Sequence, residues 1–111
     1  MRRARAAVKL RDVSARSAEA GSIITSKAYL STRLWWRPFR EGRRDVPVID
    51  DVLWTGHFCH FLWARGVVVE ECARTDLDSY LAALIAFRPG PRAVAERTAT
   101  ALFAFLRTGR E

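Results

Sequence analysis

Eighteen residues, VIDDVLWTGHFCHFLWAR, run from Val48 to Arg65 between a proline and a glycine, with no proline and a single glycine inside. At about 100° per residue, Trp54, Phe58, Phe61 and Leu62 fall on one side of a helix, and Val52, Cys59 and Trp63 on another. Asp50 and Asp51 stand in the first turn, where the helix dipole favours anions, and Gly66 stands just past the end. A helix that is apolar on two sides has neighbours on both, so this one reads as the central member of a helical bundle.

The same run holds both histidines of the chain and one of its two cysteines. His57 and His60 project about 60° apart on a regular helix, but Cys59 falls about 160° from His57 and about 100° from His60. One metal ion cannot be reached by all three. A set of His57, His60 and Cys72 has neither the C-x-x-C pairing nor the H-x-x-x-H spacing of zinc sites, so no metal is expected. Cys59 reads as a small core residue, and the histidines as the polar sector of a crowded helix.

Other helices are legible around this one. Residues 1–21 form a basic N-terminal arm, Ala-rich with dispersed Arg, and residues 22–111 form the helical domain. Leu30 and Leu34 are four apart, and Ala28 and Trp35 seven apart, which predicts a helix from Ser22 to Trp36 ended by Pro38. Ile23, Ile24 and Thr25 suit a short extended start equally well. The stretch from Arg40 to Pro47 reads as a charged linker. Thr75 is placed to cap a helix, with Asp78 three residues on, and Leu77, Tyr80, Leu81, Leu84 and Ile85 share one face of it. Arg88-Pro-Gly-Pro91 breaks that helix, and Pro91 fits the first position of the last one. There Val94, Thr98, Ala101, Leu102 and Phe105 point one way, and Arg92, Thr100, Arg107 and Arg110 the other, with Phe103 on that outer, basic side. The expected fold is all-α, a small bundle of about four helices with a basic N-terminal arm.

Charge narrows the function classes. Residues 1–44 hold 12 of the 19 Lys and Arg side chains against three acids, so the excess of +7 belongs to the N-terminal part, while residues 45–78 are acidic. Nearly all the cations are Arg, which suits bidentate phosphate contacts, although a GC-rich coding background, which also raises Ala, gives the same bias. No apolar run reaches the roughly 18 residues of a membrane span, and no signal-peptide core follows the N-terminus, so a soluble cytoplasmic protein is expected. The lack of acids before Asp12 also suits an organelle transit segment. There is no Gly-rich phosphate loop, no nucleophile elbow and no catalytic cysteine signature. Asp50-Asp51 and Glu70-Glu71 are sequence neighbours whose side chains diverge on a helix, so neither pair makes an acid–base site. No enzyme activity and no cofactor are expected.

The run from Phe58 to Gly109 reads FCHFLWARG, then VVVEECARTDLDSYLAAL, then GPRAVAERTATALFAFLRTG. It resembles the core-binding, SAM-like domain of tyrosine recombinases and phage-type integrases. In that family a helix ending in an aromatic-Leu segment and Gly precedes a Thr-x-x-Asp-Leu-x-x-Tyr-Leu helix and a long helix with a Leu-x-x-Phe centre. Thr75, Asp76, Leu77, Tyr80 and Leu81 fit with the Thr closer to the Asp, and Leu102 and Phe105 fit the second motif. The family's frequent Thr before Val in the last helix is Ala93 here. The family keeps its catalytic residues in a separate domain that this chain does not contain, and neither Tyr29 nor Tyr80 fits its nucleophile. The resemblance therefore implies a clamp on double-stranded DNA without strand cleavage, as in a truncated or stand-alone core-binding domain. Its candidate phosphate contacts are Arg88, Arg92, Arg97, Arg107 and Arg110 at the last helix, with Arg97 nearest the flank, and Arg2, Arg3, Arg5 and Lys9 in the arm. The alternative is a protein-interaction module. Trp35, Trp36, Phe39, Trp54, Trp63 and Phe103 are more aromatic surface than four short helices readily bury, and a second copy or an absent catalytic domain could pack on Trp35, Trp36, Trp63 and Phe103.

Overall fold

The computed structural model describes residues 21–108. Among them are five α-helices and no strand: α1 Gly21–Ser31, α2 Trp36–Glu41, α3 Val48–Ala64, α4 Arg74–Ala83 and α5 Pro89–Thr108. Two 3-10 turns, Val69–Glu71 and Leu84–Ala86, flank α4. The fold is all-α. Arg2, Arg3, Arg5, Lys9 and Arg110 lie outside the described residues, as does the rest of the arm before Gly21. None of the described helices is long and apolar enough to cross a membrane.

The central position expected for the Val48–Arg65 run is the one it holds. α3 packs on α1 and α5, and Val52, Trp54, Phe58, Cys59, Phe61 and Leu62 are all buried. Fully burying a side chain such as Phe58 or Leu62 is worth about 1.5–3 kcal/mol. Gly56 makes the approach of α1 possible: a methyl group there would overlap the Oγ and Cβ of Ser26 and lie 3.6 Å from its Cα. At the other end the helix closes with a Schellman motif. The Gly66 amide donates to the Trp63 carbonyl and the Val67 amide to the Leu62 carbonyl, both at 2.9 Å, while Gly66 adopts φ +79°. That left-handed conformation requires the glycine.

Several boundaries differ from the sequence expectation. The segment Ile23–Thr25 is helical, since α1 starts at Gly21, but α1 stops at Ser31 and does not reach Trp36. The hydroxyls of Ser31 and Thr32 donate to the carbonyls of Ala28 and Tyr29, at 2.9 and 2.7 Å, and take over acceptors near the helix end. The chain then turns, which leaves Leu34 95% exposed and carries Trp35 into the core. Pro38 does not end a helix. It sits in the first turn of α2, where its missing N–H costs nothing. The expected linker from Arg40 is ordered by ion pairs to α3, described below.

α4 begins two residues earlier than Thr75 predicted. Ala73 is the N-cap, and its amide donates to Asp76 Oδ2 at 2.8 Å, which is half of a capping box because alanine offers no acceptor in return. Asp78 pairs with Arg74 at 3.2 Å. Beyond Ala83 the helix tightens into the 3-10 turn, so Ile85 leaves the apolar face and is 75% exposed. α5 starts at Pro89, with Pro91 inside its first turn. Its buried stripe is Ala95, Thr98, Ala99, Leu102, Phe103 and Leu106, rotated from the predicted one, so Phe103 faces inward and not outward. Val94, Ala101 and Phe105 are only partly buried along its edge.

Candidate nucleic-acid interface

The rotation of α5 reorders its cations. With the buried stripe centred on Ala95, Leu102 and Leu106, Arg97 points roughly 180° away and is the outermost arginine of the helix. The expectation that it lay nearest the flank is therefore wrong. Arg107 projects about 110° from the stripe, exposed, with its guanidinium 5.1 Å from the Phe103 ring centroid. Arg92 turns toward the core edge instead, half-buried, and donates to the Ile85 carbonyl at 3.3 Å. Arg88 precedes the helix and is exposed. The four do not converge on one point. Arg97 and Arg107 are about 15 Å apart along the axis, with Thr100 and Ala104 between them on the exposed side.

Two carboxylates take other arginines out of play. Asp51, fully buried, accepts from Arg40 Nη1 at 2.6 Å and from Arg43 Nε and Nη2, each at 2.9 Å. Arg40 also donates to the carbonyls of Arg43 and Val46, so the turn after α2 is folded around its own guanidinium. Glu70 gathers a second set. Its Oε2 accepts from Trp35 Nε1 at 2.6 Å and from Arg33 Nη2 and Nε at 2.8 and 3.2 Å. Partial burial pushes the Glu70 carboxyl up, but the Trp35 and Arg33 bonds outweigh this and hold it below its ordinary value. The only sequence hints of these hubs are an acid inside an apolar helix and two arginines three residues apart.

The aromatic surface behind the interaction alternative is mostly internal. Trp35, Phe39, Trp54 and Phe103 are buried and Trp36 is half-buried, which leaves Trp63, at 61% exposure, as the broad aromatic face. His57 is not in a polar sector. It is buried, its Nδ1 lies 2.8 Å from the Tyr80 hydroxyl, and the rings of Trp54 and Phe87 close around it. His60 is half-buried and stacks on Trp63. Tyr80 is wholly buried and burial pushes its hydroxyl well above its ordinary value, so it is no poised nucleophile. Burial also pushes the Cys59 thiol up to about 12. Among the described residues no three His, Cys, Asp or Glu side chains are grouped to hold a metal ion.

One concave feature adjoins α5. An open groove of about 470 Å³ runs between Val69, Glu70, Glu71 and Cys72 on one side and Phe103, Leu106 and Arg107 on the other. It is a surface depression and holds no acid–base pair or nucleophile of low pKa. Burial raises the thiol of Cys72 as well. No family model, curated protein or solved structure matches the chain.

Proposed function

We propose that the chain is a helical DNA-binding domain of the recombinase core-binding type, which grips the duplex backbone and carries no strand-cleavage site. The observation that carries this reading is the outward pair Arg97 and Arg107 on α5, both exposed and neither held by a carboxylate among the described residues, in contrast to Arg33, Arg40, Arg43 and Arg74. Their separation of about 15 Å along the helix suits phosphates on the two sides of a major groove about 12 Å wide. Thr100 and Ala104 add little bulk between them, so the helix axis can approach closely. Arg88 adds a cation just before the N-terminus of the helix, and Arg92 contributes through its exposed portion. Arg2, Arg3, Arg5 and Lys9, with Arg110, supply further phosphate contacts from the two termini.

The test is fluorescence anisotropy of a labelled random-sequence duplex at about 50 and 200 mM salt, where phosphate contacts lose affinity steeply. Replacing Arg97 and Arg107 together by Gln is expected to weaken binding and to reduce the slope of log affinity against log salt by about 1.8, or about 0.9 per lost phosphate contact. Arg74→Gln, at an arginine already paired with Asp78, serves as the control that changes little. No binding at low salt, or a slope unchanged in the double variant, removes the DNA reading. One observation favours the interaction alternative: Trp63 remains exposed on α3. Self-association that is insensitive to salt and lost in Trp63→Ser would support that reading instead.

A further inference from the structure

The groove beside α5 combines an apolar floor with an acidic wall. Val69, Phe103 and Leu106 form the floor, and Glu70 and Glu71 the wall, with Arg107 the one lining cation among the described residues. Asp76 adds negative potential at the Cys72 end, where it helps to raise that thiol. Glu70 is already engaged by Arg33 and Trp35, but Glu71 is exposed and enters no ion pair among the described residues. Such a surface suits a segment with a thin apolar side and several cations.

We propose that the groove is the docking site of the chain's own N-terminal segment, residues 1–20. That segment carries six Lys or Arg side chains against Asp12 and Glu19, and its larger apolar residues are Val8, Leu10 and Val13 among alanines. Too few for a core of their own, they suit the small apolar surface that Val69, Phe103 and Leu106 leave open in the groove, and the arginines suit Glu71 beside the already engaged Glu70. The reach is sufficient: 20 extended residues span about 66 Å, against a longest dimension of 37 Å for the described chain. The acids around the α2–α3 turn are a weaker partner for the segment, because they lie among Arg37, Arg40, Arg43 and Arg44. The inference is independent of the DNA reading. Where both hold, phosphates and the groove compete for the same arginines.

A nitroxide at position 6 tests it in the full chain, in an Ala6→Cys, Cys72→Ala variant in which the remaining Cys59 is buried. At about 50 mM salt, where screening is weak, the amide signals of Glu70, Glu71 and Leu106 are expected to broaden several-fold. The broadening is expected to fade at about 500 mM salt and in a Glu71→Lys variant, whose exposed substitution leaves the rest of the spectrum in place. No broadening at low salt, or equal broadening of every face, overturns the proposal. So does broadening seen only between molecules in a mixed sample of labelled and unlabelled chains, which would make a second copy the occupant. Neither arm of the experiment contains DNA, so its failure is distinguishable from failure of the DNA reading.

Discussion

Removing the Asp51 carboxylate is the sharpest perturbation the fold offers. Asp51→Ala deletes three charge-assisted hydrogen bonds at 2.6 to 2.9 Å and leaves two guanidiniums, 19% and 18% exposed, facing an apolar methyl. Breaking a buried pair by removing one partner costs about 3–5 kcal/mol. The lower end applies here, because Arg40 keeps two carbonyl acceptors and both side chains can swing toward water. Urea unfolding followed by tryptophan fluorescence reads the change, since Trp35 and Trp54 are buried in the folded chain. For a domain of this size, with m of about 1 to 1.5 kcal/mol per molar, a loss of about 3 kcal/mol lowers the midpoint by about 2 to 3 M. Replacing Asp51 by Leu and Arg43 by Met together is expected to cost less than Asp51→Ala alone, because no unpaired Arg43 charge is then left buried. A midpoint shift below about 0.5 M for Asp51→Ala, or strictly additive losses in the combined variant, would refute the view that this hub holds the α2–α3 turn.

Two pH dependences follow, one from the hydrogen bonds to Glu70 and one from the burial of Cys59. The folded value for Glu70 is lowered, so its contribution is complete above the ordinary carboxylate value of 4.5 and is lost as pH falls through the lower folded value. The stability gap between the native chain and Glu70→Gln is therefore expected to narrow in acid, which urea titrations at pH 7 and below pH 4.5 would detect; a constant gap contradicts the hydrogen-bonded carboxylate. The Cys59 thiol behaves oppositely, because its folded value of about 12 lies above the ordinary 9.0: stability is complete below pH 9 and falls as pH rises toward 12. Between pH 9 and 10 this removes about 1 kcal/mol, and Cys59→Ala is expected to lose clearly less over the same interval.

The element pattern was legible where a single physical cause acted along the chain. Fourfold recurrence of large apolar residues placed α3, and Gly66 marked its end, because only a left-handed residue closes a Schellman motif cheaply. Where two local causes competed, the boundary moved. Ser31 and Thr32 could extend α1 or cap its carbonyls with their hydroxyls, and periodicity through Leu34 and Trp35 carried no information about that choice. Phe103 was misplaced for a different reason. An arginine-rich helix side looks solvent-facing on a wheel, yet the Arg107 guanidinium lies against the Phe103 ring, so the apolar and basic positions interleave at the edge.

The candidate site was less legible than the fold because charge is assigned by tertiary contact and not by sequence neighbourhood. Residues 1–44 read as one basic block, but Arg33 is committed to Glu70, 37 positions away, and Arg40 and Arg43 to Asp51 on the next helix. Arg40 and Arg43 share the buried carboxylate of Asp51 and Arg33 shares the partly buried one of Glu70 with Trp35, so each leaves for a phosphate only at the cost of a carboxylate stripped of part of its hydrogen bonding. A surface that must bind polyanion reversibly needs cations whose removal from their resting place costs little. On α5 that describes Arg97, outermost and without an ion pair among the described residues, and then Arg107, whose cation–π contact is worth about 0.5–1 kcal/mol at an exposed site. The net positive charge of the chain thus overstates the cations available to a ligand, and the outer side of α5 is a place where a phosphate contact disturbs the fold little.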